Sequence, residues 1–164
     1  MKKHWFKAFL VFALMSSAFG IAKAQGGAKQ GPNVNRDPDM EAEAKHNLEV
    51  ARQYFKLRKA YVASLQRCEE VLAANPAFSK IDEILYIAGK SSLNLAEAKG
   101  KQKPDQYVIH EGAKKVTLTA DEFRDKARDY LSQLVNAHPQ SMFRTEAEDD
   151  LKALGGAKPK ESKP

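Results

Sequence analysis

Few side chains in this 164-residue chain could do chemistry, and they are scattered. His46 stands three residues from Glu43 and three from Glu49 in a helical stretch. That spacing puts one imidazole and two carboxylates on neighbouring helix positions, a set that could hold a divalent cation. The same spacing describes a solvated charged face, the reading adopted here, so no metal is expected. The other histidines, His4, His110 and His138, are far apart in sequence. Glu146, Glu148, Asp149 and Asp150 read as a wet helix surface rather than as paired catalytic acids. No HExxH, CxxC, GxSxG, phosphate loop or dinucleotide fingerprint occurs. The chain is therefore expected to be no enzyme and to need no cofactor. A small enzyme working through His110 or His138 is the competing view. The single cysteine, Cys68, has no internal partner for a disulfide and falls on an apolar helix face, which suits burial as a small hydrophobe. An intermolecular bridge is the alternative.

The formal charge of +6 invites a nucleic-acid partner. The first 24 residues, however, contain Lys2, Lys3, Lys7 and Lys23 and no acid, so 27 − 4 = 23 basic residues face 21 acidic ones in the remainder. That balance gives no ground for nucleic-acid binding. The same 24 residues combine a lysine-rich start, an apolar run from Ala8 to Ala22 and the ending Ala22-Lys23-Ala24, which together describe a signal peptide cleaved after Ala24. An uncleaved anchor is the alternative. It would need about 20 apolar residues, and this run is interrupted by Ser16, Ser17 and Gly20. No cysteine stands at the cleavage point, so no lipid anchor is expected.

Residues 25–39 are rich in Gly, Pro, Asn and Gln and read as a flexible linker. Helical periodicity begins at Met40. The first helix is predicted over 40–57 with Asp39 as its cap, and the second over 60–74, stopped by Asn75-Pro76. A third helix, capped by Ser79, runs to about Ala98 with Ala88-Gly89 as a small pair that lets a neighbour approach. Residues 101–118 break the period; they form a short hairpin or an irregular loop. Thr119 and Glu122 make a capping box for a fourth helix over 120–137, before Pro139. A fifth covers 142–154 and stops at Gly155-Gly156. Residues 156–164 are predicted to be a disordered basic tail. The expected fold is all-α, a short superhelix of five helices with an insertion between the third and fourth.

One spacing occurs twice. Twelve, eight, five and four places before Pro76 lie Ser64, Cys68, Val71 and Leu72; at the same offsets before Pro139 lie Ala127, Leu131, Leu134 and Val135. This resembles the tetratricopeptide repeat (TPR), a pair of antiparallel helices of about 34 residues. In the first unit Leu48, Ala51, Phe55, Tyr61, Ser64, Cys68, Val71 and Pro76 fall at the motif's positions, but Arg52 stands where glycine is usual and Val71 where alanine is usual, so the match is degenerate. The second unit supplies Leu85, Ala88 and Gly89, then Ala127, Leu131 and Pro139 after the insertion. The phrases NPAFSKIDEILYIAG and HPQSMFRTEAEDDLKAL resemble the outer-membrane assembly lipoprotein BamD and its relatives, over about residues 41–155. The departures are the missing lipid-anchor cysteine and the presence of two units and a cap where that family has about five. The resemblance implies a repeat core of Phe55, Tyr61, Ser64, Cys68, Pro76, Gly89, Ala127, Leu131 and Pro139. It also implies an exported scaffold that binds an envelope protein in the periplasm, peripheral to the outer membrane and active in outer-membrane protein assembly. A peptidoglycan- or division-associated coordinator and a membrane-tethered adaptor are the alternatives. Stacked helix pairs create a concave groove for a partner's peptide or helix, to which Asn47, Val50, Tyr54, Arg58, Tyr86 and Lys90 are assigned. Tyr107 and Ile109 in the insertion form a second candidate contact.

Overall fold

The computed structural model describes residues 36–159. The expected leader, His4 and most of the expected linker lie outside them. Helix α1 (Pro38–Arg52) begins two residues earlier than expected, and its cap is Asp37 rather than Asp39. The Asp37 carboxylate accepts from the Asp39 N–H at 2.9 Å, and Pro38 occupies the first helical position, where its missing N–H costs nothing. The helix widens into a π-helical turn over Gln53–Arg58, closed by Lys59 in the left-handed conformation at φ 51°. Helix α2 (Tyr61–Ala74) follows after two residues and packs back on α1.

Helix α3 (Ile81–Ala96) has no side-chain cap. Ser79, predicted to cap it, instead donates its backbone N–H to the Glu41 carboxylate of α1. The insertion is a hairpin. Strands β1 (Val108–Glu111) and β2 (Lys114–Thr117) pair antiparallel, with Ile109 opposite Val116. Helix α4 (Ala120–Ala137) has the predicted boundaries, and both halves of the Thr119–Glu122 capping box are made. Helix α5 (Arg144–Ala153) ends where Gly156, at φ 95°, donates its N–H to the Leu151 carbonyl. The fold is all-α apart from the hairpin, each helix packing against the next in chain order.

Small residues set how closely the helices approach. Ser64 is fully buried; its hydroxyl donates to the Ala51 carbonyl of α1 and accepts from Ser91 of α3, both at 3.2 Å. One hydroxyl at the repeated small position thus ties three helices together. A methyl group at Gly89 would lie 2.6 Å from the Leu131 side chain, so at this point α3 and α4 come this close because Gly89 has none. Arg52 forms a two-pronged pair with Glu83 of α3 at 2.6 and 2.5 Å. Cys68 is fully buried, and burial pushes its thiol well above the usual range, which makes it inert. Phe55, Tyr61 and Leu131 pack in or against the core, and Ala127 is fully buried. Pro76 and Pro139 do not: both are exposed, ending helices at the surface instead of filling the interior.

Candidate functional site

The six residues assigned to a concave face do not form one surface. Tyr86 stacks on Phe143, with ring centroids 4.6 Å apart, and Lys90 pairs with Asp150 at 2.8 Å and Glu146 at 3.2 Å. Both are consumed in docking α5. Asn47, Val50 and Tyr54 are half-buried on α1 and its π-turn, and exposed Arg58 lies 5.5 Å over the Tyr54 ring. Tyr107 is 5% exposed, and its ring meets Phe123 edge-on at 5.5 Å. Half-buried Ile109 packs on the same core. The insertion contact is therefore an internal one. His46, Glu43 and Glu49 are all exposed, and among the described residues no three of His, Cys, Asp and Glu converge on a metal-sized point.

Tyr107 belongs instead to a polar hub. The Glu69 carboxylate accepts from the Tyr107 and Tyr130 hydroxyls, each at 2.8 Å, and pairs with Lys126 at 2.7 Å. The Lys126 ammonium lies 5.6 Å over the Tyr107 ring and 5.4 Å over the Tyr130 ring. Burial, and next the Glu69 charge, push both phenols well above their usual range. They are held neutral as donors, unsuited to serve as bases.

Beside the hub an open groove of about 1040 Å³ runs between the ends of α2, α3 and α4. Leu72, Ile81 and Leu85 give it an apolar floor; Asp129, Gln133, Asn136 and His138 edge it. Part of the expected disordered tail lies along it. Arg128 donates to the Gly156 carbonyl at 2.6 Å, the Lys158 N–H donates to the Ser132 hydroxyl at 2.8 Å, and the Asn136 amide donates to the Lys158 carbonyl at 3.1 Å. The Lys158 ammonium pairs with Asp129. Arg128, Ser132 and Asn136 follow one another at four-residue steps, a single polar ridge on α4. The sequence reading missed Ser132, Asn136 and Glu69. The four-residue step of the ridge was the available signal, whereas nothing local foretold the hub's partners. His138 closes α4 through its backbone N–H to the Leu134 carbonyl and lines the groove. No helix among the described residues is long and apolar enough to cross a membrane. Compared with known proteins, the chain matches no family model, no curated protein and no solved structure.

Proposed function

We propose that this chain is an exported, non-catalytic TPR-like scaffold that holds an extended segment of an envelope protein in the groove between α2, α3 and α4. The observation that carries this reading is the groove's own occupant. Lys158 and Pro159 lie there, the Lys158 N–H and carbonyl hydrogen-bonded by Ser132 and Asn136 and the Lys158 ammonium paired with Asp129. A surface that satisfies the backbone groups of one chain segment can satisfy those of another, with side-chain pockets left to select it. The apolar floor and polar edge suit a peptide better than a small polar substrate. The repeat assignment draws support from Ser64 and Ala127, both buried at equivalent places in their hairpins. Export and the likeness to outer-membrane assembly scaffolds rest on the leader and on the phrases around Pro76 and Pro139.

A photo-crosslinking amino acid at Gln133, on the groove edge, tests the reading in cells, with His46 on α1 as the control position. The expected result is a discrete protein adduct at Gln133 and none at His46. Lys158→Glu, which sets two acids against each other and releases the chain's own segment, should raise the adduct yield. Equal adducts at both positions, or none at Gln133 in either background, would refute it. Mass spectrometry of the mature chain should find Gln25 as the first residue.

A further inference from the structure

We infer that the corner between α1 and α2 is a docking surface for anionic lipid headgroups, built on residues separate from the groove. Taking the seven lysines and one glutamate outside residues 36–159 from the totals of 27 and 21 leaves 20 basic and 20 acidic residues in the described chain. The described chain is thus neutral as a whole, but its charge is not evenly spread. Lys56, Arg58 and Lys59 occupy the π-turn and its left-handed cap, and Lys99, Lys101 and Lys103 follow α3. The two segments touch: the Lys101 N–H donates to the Lys59 carbonyl at 2.9 Å. Gly100, at φ 92°, lies so close to Tyr61 that a methyl group there would stand 2.6 Å from the ring. All six cations are exposed. The acids within the two segments, residues 53–60 and 97–105, are Glu97, which pairs with Lys99, and Asp105. The remaining described residues consequently carry an excess of acid, so the molecule presents a cationic end.

In the π-turn stands Leu57, 79% exposed between Lys56 and Arg58. Its position follows from the local backbone. The wide turn directs Phe55 onto Tyr61, with centroids 5.6 Å apart, and leaves Leu57 outside. An exposed leucine flanked by Lys56 and Arg58 matches a membrane interface: the leucine enters the acyl boundary while the lysines stay with the headgroup phosphates. Nucleic acid would use the charge but would have no use for the exposed leucine.

Co-sedimentation of the chain from Gln25, the proposed mature start, with vesicles tests this, comparing phosphatidylcholine alone with phosphatidylcholine mixed with phosphatidylglycerol. Every protein in the comparison lacks the apolar, lysine-rich residues 1–24, so differences among variants report on the corner. Wild type should prefer the anionic vesicles and lose binding as salt rises. The triple variant Lys56→Gln, Lys59→Gln, Lys101→Gln should bind them about a hundredfold less, at about fivefold per cation. Leu57→Ser should cost about tenfold and leave the salt dependence unchanged. All four side chains are exposed, and unchanged helical circular dichroism would confirm that the variants fold. Equal binding to both vesicle types, or full binding by the triple variant, would overturn the inference. So would binding to a DNA duplex or polyglutamate that matches vesicle binding and ignores Leu57→Ser, since the patch would then read charge alone.

Discussion

At one point the close approach of α3 to α4 rests on a single absent methyl group. In a helix interior alanine is favoured over glycine by about 1 kcal/mol, so an unobstructed Gly89→Ala change would stabilise the protein. Here the new carbon would meet the side chain of Leu131, which is fully buried and would have to shift within the core. Overpacking of that kind costs about 1–3 kcal/mol, so the net expectation is a loss of about 1 kcal/mol by urea denaturation. In a Leu131→Ala background, itself destabilised by about 2–5 kcal/mol, the same substitution should turn neutral or stabilising. A Gly89→Ala protein more stable than wild type would show that the helices do not meet at this point. Gly89 and Leu131 were both legible as core positions from their spacing. Their contact was not, because an eighteen-residue helix can present its inner face at several heights along a neighbour, and the long insertion leaves that register open.

At the scale of elements, α5 depends most visibly on solution conditions. It is held by Phe143 stacked on Tyr86 and by Glu146 and Asp150 around Lys90. The Tyr86 hydroxyl holds the Glu146 carboxylate below its usual range, overcoming desolvation, and Lys90 adds to the effect. Burial pulls the Lys90 ammonium down, but its bonds to Asp150 and Glu146 outweigh that and raise it. Burial and Glu146 together raise the Tyr86 phenol. A lowered carboxylate contributes stability above its unfolded value, about 4.3, and loses it as pH falls through the lower native value. A raised ammonium and a raised phenol contribute below about 10 and lose it as pH climbs further. Docking of α5 should therefore be intact across neutral pH and weaken at both extremes, modestly because Glu146 is mostly exposed. The near-ultraviolet circular dichroism of the Tyr86–Phe143 stack, followed against pH, would report it. Glu146→Gln should flatten the acid limb, and an unchanged acid limb would contradict this account. The same cluster explains why Tyr86 and Lys90 were misassigned. Helix periodicity places them off the α3 packing face, as it would any solvent-facing residue, and says nothing about a later helix that arrives to cover them. The boundaries of α4, by contrast, were readable because Thr119, Glu122 and Pro139 act locally. The start of α1 slipped by two residues because Asp37 and Asp39 can both cap, and only Pro38 between them decides for the first.

Across the whole molecule, chain-order packing makes stability a matter of neighbouring interfaces, as in a repeat array. Glu69 spans more than one of them. From α2 it gathers Tyr107 at the root of the hairpin and Tyr130 and Lys126 on α4, so it ties the first helix pair to the insertion and to the second. A hydrogen bond to a charged group is worth about 1.5–3 kcal/mol, and buried donors left without a partner incur their own penalty. Glu69→Ala should then cost about 2–3 kcal/mol overall. Its distribution is the sharper prediction. Amide exchange should accelerate in β1, β2 and the first turns of α4, whose anchor is lost, and change least in α1, which reaches α2 through Ala51 and Ser64. Glu69→Gln keeps an acceptor but removes the charge that holds Lys126 over the two rings, and should fall between wild type and alanine. Uniform acceleration along the chain would mean that the stack opens as one unit and that Glu69 is merely one contact among many. Confinement to the hairpin and α4 would identify this carboxylate as the joint between the two helix pairs. Because Glu69 and Tyr130 also line the groove, loosening that joint should weaken the hold on Lys158 and Pro159 as well. The rise in exchange of the Lys158 amide in the same experiment measures that coupling.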